Sequence, residues 1–438
     1  MHLKYLFLLL IFINLISCKS KEKEILNISI DNLESNYEKD LTDILVNDIV
    51  SPTVASRIYA YANIAYYEGI RLKDTSAISL INNLKGFKNT LHTINNNYIN
   101  ENIVATTSFF KVSKALCFSK DSVEKKYQQY LSFFKKTTEG KIFLKSVVVG
   151  DSIAKIILER ASNDNYKLTR GLPRYSVINS KDNFSWEQTP PDYADATEPN
   201  WGLIKPLLLD SASQFAPGAA PIFSNSKTSF FYKEMNEVYN LNTNRTLEMD
   251  TIAKFWDDNA YVTQHSGHFV AASKKITPVG HWMSIVSILN KKKKIDNVKS
   301  ALIYATTAAC IFDGFISCWY EKYKSKRARP ITTIRKLIDP NWNSFLQTPP
   351  FPEYTSGHSV ISNAAATLLT TYIGNDVAFL DTSELEYIGL QRNFINIKAA
   401  ADEASISRLY GGIHYRSGIE SGKTQGIQIA EYYLKKIK

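Results

Sequence analysis

Phe351-Pro352-Glu353-Tyr354-Thr355-Ser356-Gly357-His358-Ser359 is the stretch on which the chain turns. Its two prolines and small polar residues stop any preceding element, and Val360, Ile361, Ala364, Ala365, Leu368 and Leu369 then recur at helical spacing. A helix is therefore predicted to begin at the Ser-Gly-His step. The unpaired backbone N–H groups and positive dipole end of that helix make the step an anion cradle with a histidine at its lip.

Helical periodicity extends outward from this point in both directions. It covers about 229–240, 248–258, 280–290 and a long run over 296–323 before the step, and 356–373, 384–409 and 417–436 from the step onward. Ser51-Pro52 offers an N-cap followed by proline at the first helical position, and Val54, Ile58, Tyr59, Ala62, Ile64 and Ala65 form an apolar helix after it. Further helices are expected at 76–94, 101–118, 120–137 and 140–162. No alternation of period two is sustained, so the fold class is all-α: two stacked helical bundles in one domain. The domain is expected over 46–438, with an N-terminal bundle at 46–165 and a C-terminal one at 229–438. Between them, 166–228 carries Pro173, Pro190, Pro191, Pro199, Pro206, Pro217 and Pro221, which exclude long helices. Trp186, Tyr193 and Trp201 are expected to pin this excursion down, and Asp313 to be a structural partner inside its helix.

The first residues have a different texture. Lys4, an apolar core over 5–13 and Leu15-Ile16-Ser17-Cys18 read as a signal peptide over 1–17. The run resembles a bacterial lipoprotein signal, which would leave Cys18 lipidated as the mature N-terminus. Residues 18–45, led by Lys19, Lys21, Glu22, Lys23 and Glu24, suit a polar tether. No second apolar run stands out as a membrane span. The expected location is the cell envelope, lipid-anchored to a membrane and periplasmic or surface-exposed.

The 438 residues are 44% hydrophobic, the content of a packed protein, and the formal charge is +10. The excess cations lie in runs such as Lys291 to Lys294 and Lys435-Lys436, without interleaved stacking aromatics, so no nucleic-acid partner is expected. Cys117, Cys310 and Cys318 have no paired spacing and read as buried small hydrophobes rather than a disulfide framework. His265-x-x-His268 has ligand spacing for a helix but lacks the glutamate of a zinc protease motif.

Chemistry concentrates in three places. Lys322 lies near a helix end, with Arg329-Pro330 following after six residues; Arg329 can fork onto two oxygens of a tetrahedral anion while Lys322 acts as a point charge. Ser356-Gly357-His358 adds a hydroxyl, close backbone approach and an imidazole. In Ser407-Arg408-Leu409-Tyr410-Gly411-Gly412-Ile413-His414, the glycine pair turns the chain so that Arg408 and His414 can converge. Three cations, a helix N-terminus and two imidazoles suit a multiply charged oxyanion with a histidine at each apical position.

Taken together and in this order, these motifs resemble the signature of the superfamily uniting type 2 phosphatidic acid phosphatases with vanadium-dependent haloperoxidases. The length and helical body are most similar to the bacterial, flavobacterial haloperoxidase-like branch. That resemblance implies a vanadate cofactor, with Lys322, Arg329, Ser356, Gly357 and Arg408 binding its oxygens, His414 bound axially to vanadium, and His358 as acid or base. It implies hydrogen peroxide and halide as substrates, iodide or bromide rather than chloride, and hypohalous acid as product. An acid phosphatase with His414 as nucleophile, or a catalytically impaired phosphate- or vanadate-binding lipoprotein, are the alternatives. Trp319, Tyr320 and Phe351 are candidates for shaping the pocket. The chain departs from the usual motif at Thr355, where proline is common, and at Gly418, where the family usually has an aspartate supporting the histidine. Glu420 is a candidate substitute, and a Gly418→Asp variant with raised activity would show that the departure matters.

Overall fold

The structure, a computed structural model, describes residues 29–88, 98–175, 184–260, 262–266, 269–272 and 274–437. Glu34–Lys438 form one unit and Met1–Leu33 another. The signal peptide and Cys18 lie outside the described residues.

The body begins earlier than the expected boundary at 46. Helix α1 (Leu33–Asn47) buries Tyr37, Leu41, Ile44 and Leu45, so the tether cannot extend to 45. Its charges disguise it, but several are satisfied inside the fold: Asp40 accepts from Lys126 Nζ at 2.6 Å and from Tyr130 Oη at 2.8 Å. Tyr37 packs against Tyr66, Phe109, Phe110 and Tyr130. In α2 (Pro52–Ile70) the Ser51 Oγ accepts from Val54 N and proline opens the first turn, as the sequence implies. Every residue of α2 is buried. It is the central member of the first bundle, packed on α3 (Glu101–Leu116) and α5 (Gly140–Ser162); α4 (Lys120–Thr137) lies against α3.

After the excursion come α6 (Phe230–Thr243) and α7 (Leu247–Phe255), then a hairpin of β1 (Thr263–Ser266) and β2 (Phe269–Ala272). The second bundle comprises α8 (Pro278–Lys293), α9 (Asn297–Ser325), α11 (Gly357–Ile373), α12 (Ile397–Tyr410) and α13 (Arg416–Lys436), with the short α10 (Pro330–Leu337) beside α6. Helix α9 packs on both α2 and α11 and so joins the bundles. It is long and apolar enough to cross a membrane, contrary to expectation, yet 94% of its apolar window is buried inside the protein. Helix α13 runs close against α11 because Gly422 and Gly426 face its backbone. A Cβ at Gly426 would lie 2.2 Å from the Val360 carbonyl oxygen.

Two expected helices are shorter. Within 76–94 the described residues show one helical turn, Leu80–Asn83. The run 384–409 breaks into the turn Leu385–Ile388, strand β4 (Arg392–Phe394) and α12, with β4 pairing antiparallel to β3 (Phe379–Asp381). Gly389 takes a left-handed φ of 73° at that break, which ends the first turn. The two small hairpins leave the fold all-helical in character.

The proline-rich excursion is held across α9. Asp313, buried in mid-helix, accepts from the backbone N–H of Leu207, Leu208 and Leu209 at 2.7, 2.8 and 3.1 Å and from Tyr433 Oη at 2.9 Å. The Thr197 carbonyl accepts from Trp319 Nε1 at 3.2 Å and Tyr323 Oη at 2.6 Å. Trp186 and Trp201 are buried as expected, whereas Tyr193 is 59% exposed. Cys117, Cys310 and Cys318 are buried free thiols.

Replacing Asp313 by alanine strands three buried N–H groups, each costing about 1–3 kcal/mol when unsatisfied. Denaturant unfolding of Asp313→Ala is expected to show a loss of about 3 kcal/mol or more, and Asp313→Asn a smaller one because one acceptor remains.

Candidate active site

The turn from α9 into α10 brings the first motif to the loop before α11. Lys322 lies in the last turn of α9, fully buried, and its ammonium donates to the carbonyls of Pro352, Glu353 and Thr355 at 3.1, 3.0 and 2.5 Å. The lysine thus shapes the loop that precedes Ser356. Arg329 donates through Nε to the Phe351 carbonyl at 2.8 Å, and through Nη1 to the Ile413 carbonyl at 2.8 Å and to His414 Nε2 at 3.0 Å. Arg408, at the end of α12, donates through Nη1 to the carbonyls of Trp256, at 2.5 Å, and Asp257. Ser356 caps α11, its Oγ accepting from Ser359 N, while its own N–H donates to the Gly418 carbonyl at 2.9 Å.

A cavity of about 30 Å³, measured as the space open to the centre of a water-sized sphere, lies beside them; Arg408 lines it, whereas Lys322, Arg329 and Ser356 do not. Its walls include His358, His414, Arg408, Gly357, Asp257, Asp258, Trp319, Phe351 and Phe315. A single water needs about 10–15 Å³ on that measure, so the space suits a small oxyanion. Trp319 and Phe351 pack together at 4.8 Å between ring centres and face the cavity as expected. Tyr320 is not among its lining residues; it backs onto Gly202 in the excursion.

Electrostatics define what the cavity lacks. Lys322, Arg329 and Arg408 are each at most 1% exposed, and among the described residues none forms an ion pair. Arg329 Nη2 and Arg408 Nε have no hydrogen-bond partner. Burial, reinforced by Arg329 and Arg408, pushes Lys322 down to about 7. Burial and the cations Arg329, Lys322 and Arg408 hold His414 well below its ordinary value, so it is neutral. Burial, then Arg408, pushes His358 down to about 4. Buried charge without a counter-ion is costly, and an anion in the cavity would meet Arg408 and offset the positive field that Lys322 and Arg329 add behind it. The donor set therefore fits vanadate or phosphate.

The support of His414 overturns an expectation. His414 Nδ1 lies 2.8 Å from Glu353 Oε1, so Nδ1 carries the proton and Nε2 keeps its lone pair, which accepts from Arg329. Glu353 is fixed in turn by the Tyr415 N–H at 3.3 Å and by Arg327 Nη1 at 3.0 Å, and Arg327 also pairs with Glu234. The carboxylate missing at 418 thus arrives from the loop before α11. A Cβ at Gly418 would stand 2.1 Å from Glu353 Oε1, so the glycine makes room for it. Glu420 is no substitute: its side chain is half exposed and its ion partner is Lys423.

Of the remaining histidines, His281 is buried and held between Asp258 and Asp381. His265 falls on strand β1, not a helix, which removes the i, i+3 geometry assumed for it; His268 lies outside the described residues.

Proteins of known structure share this fold. The family described as the VCPO second helical-bundle domain matches residues 302–438. A bacterial vanadium-dependent iodoperoxidase of known structure is 40% identical, with a TM-score of 0.88 over 94% of this chain and 98% of that one. The holo and apo forms of a bacterial vanadium-dependent chloroperoxidase share the fold at 16% identity, with TM-scores of 0.67 and 0.66, over 88% and 89% of this chain and 92% and 95% of theirs. Among curated proteins, none matches this chain by sequence. The fold and site define a helical-bundle enzyme built around an oxyanion. The chain belongs to the bacterial vanadium-dependent haloperoxidases, a family of peroxidases.

Glu353→Gln is expected to weaken vanadate binding about 10–100-fold, the usual loss when an orienting partner of a ligand histidine is removed. Gly418→Asp should also lower it, by displacing Glu353, whereas Glu353→Ala with Gly418→Asp should recover part of the affinity. Calorimetric titration of the four proteins with vanadate checks the series.

Proposed function

We propose that this protein oxidises halide with hydrogen peroxide at a vanadate held by Lys322, Arg329, Ser356, Gly357, Arg408 and His414, with iodide as its preferred halide. The observation that carries this reading is the trio of buried, unpaired cations around a neutral His414 whose Nε2 lone pair is set by Glu353. When bound, vanadate supplies a Lewis acid that activates peroxide toward halide. Lys322, Arg329 and Arg408 offset the negative charge of its oxygens, and the dry cavity strengthens those contacts. His414 offers Nε2 as the ligand atom. His358, neutral above about pH 4 and on the cavity wall, would be the group that exchanges a proton with hydrogen peroxide. Iodide is supported by the 40% identity to an iodoperoxidase and by the polarisable wall of Phe315, Trp319 and Phe351, which suits a large, weakly hydrated anion.

The same cradle accepts phosphate, and an unprotonated His414 Nε2 is also a nucleophile, so phosphatase activity is the rival reading. After incubation with vanadate, the protein is expected to oxidise iodide in the presence of peroxide. Lys322→Ala and His414→Ala should abolish this activity. Phosphomonoester hydrolysis, inhibited by vanadate and without peroxidase activity, would establish the rival instead. Anion binding favours the charged form of Lys322, whose pKa is pushed to about 7. Vanadate affinity is therefore expected to fall as pH rises through that range, measurable by titration at pH 6, 7 and 8.

The lipid anchor is proposed from the sequence of residues 1–18. Cys18→Ser is expected to move the protein from the membrane fraction to the soluble fraction of cells with iodide oxidation intact.

A further inference from the structure

Behind the active-site cavity, three segments far apart in the chain bring ligating side chains to one buried point. Asp258 follows α7, His281 lies in the first turn of α8, and Glu384 follows β3. All three are at most 2% exposed, and one ligating atom from each lies within 4.8 Å of the other two. His281 Nδ1 stands 3.0 Å from Asp258 Oδ1. Neither oxygen of Glu384 meets a hydrogen-bond donor among the described residues, although both are buried. Asp258 also reaches the wall of the active-site cavity, whereas His281 and Glu384 do not.

His281 is oriented from behind. Its Nε2 lies 3.0 Å from Asp381 Oδ2, and Asp381 is fixed in turn because its Oδ1 accepts from Ser383 N and Oγ at 2.9 and 2.6 Å. With the Nε2 proton directed at Asp381, the Nδ1 lone pair faces Asp258 and Glu384, the arrangement of a carboxylate–histidine–metal triad. Trp256 stacks on the ring at 4.3 Å with planes 14° apart, and Phe255 meets it edge-on at 5.2 Å, so the imidazole is locked in this direction. Lys275, the cation whose field reaches Glu384, is itself paired with Asp257.

Two carboxylates and an imidazole lone pair converging in a dry interior repel one another unless positive charge stands between them. A proton shared by Asp258 and His281 answers that pair but leaves both Glu384 oxygens unmet. One divalent ion answers all three. Zinc binds imidazole nitrogen and carboxylate oxygen at about 2.0–2.2 Å, which sets neighbouring ligand atoms roughly 3 Å apart or somewhat more. Asp258 Oδ1 and His281 Nδ1 already have that spacing. Calcium and magnesium favour shells of oxygen alone, so the nitrogen selects a transition ion. We propose that Asp258, His281 and Glu384 form a structural site for a divalent transition metal, zinc foremost, with Asp381 as the positioning residue of His281. The ion ties the loop after α7 to α8 and to the segment after β3, and so braces the cavity wall on which Asp257 and Asp258 lie.

The full-length protein without vanadate is the material for the test, so the result stands apart from the peroxidase reading. Protein purified without chelators is expected to carry stoichiometric zinc by elemental analysis. Chelation should lower its melting temperature, and zinc alone should restore it in a concentration-dependent way. X-ray absorption at the zinc edge should show one imidazole among oxygen ligands and no sulfur. Glu384→Gln, nearly unchanged in shape, should abolish the zinc-dependent rise in melting temperature. Asp381→Ala should weaken zinc binding about 10–100-fold in calorimetric titration. Asp381→Asn, whose amide oxygen still accepts from Nε2, should recover most of that loss. Zinc binding that Glu384→Gln leaves unchanged puts the ion elsewhere and overturns the site. Protein that holds no metal, and whose melting added zinc does not move, overturns it as well; His281 is then a protonated ring between Asp258 and Asp381.

Discussion

Three buried cations beside one small cavity, none in an ion pair among the described residues, form the constraint on which the rest of this structure depends. Lys322, Arg329 and Arg408 repel one another, and desolvation alone costs several kcal/mol per ion. Helices α9, α10 and α12 of the second bundle must be rigid enough to hold them there. The fold meets this demand with carbonyl oxygens: each cation donates to backbone acceptors, which partly solvate it without neutralising it. The uncompensated charge is left for an anion.

Those carbonyls come from segments that regular helices cannot supply. The loop over 351–355 turns three carbonyls onto Lys322, the residues after α7 cap Arg408, and Ile413 in the glycine turn meets Arg329. Irregular backbone at the site is thus how positive charge is tolerated in a dry interior. Described residues of the excursion are stapled to α9, Leu207 by Asp313 and Thr197 by Trp319 and Tyr323. Glu353 stands at the centre of this loop. Its backbone carbonyl serves Lys322 and its side chain serves His414, so a single residue couples the anion's cations to its axial histidine.

Most helices were legible from apolar residues at helical spacing, and α2, α9 and α11 start at Ser or Asp caps. Helix α1 was not, since its charged residues are paired inside the protein, and pairing leaves no mark on local sequence. The three motifs were legible for a different reason. A cation, a helix start and a histidine each need only a few adjacent residues to be recognised. Glu353 stands in the opening stretch and yet carried no signal, for its role is defined by Gly418 some sixty residues away. Asp258, His281, Asp381 and Glu384 were equally silent, being scattered over more than a hundred residues.

The sequence by itself therefore determined the helical architecture, the anion cradle at Ser356-Gly357-His358 and the residues able to neutralise an oxyanion, because these follow from local periodicity and the chemistry of single side chains. Only the tertiary structure decided which carboxylate supports His414, and it showed the missing aspartate to be a relocation rather than a loss. The physical reason is spatial: hydrogen-bond partners are chosen by where the packed helices leave room. The absence of a Cβ at Gly418 became an asset only once Glu353 was seen to occupy that space.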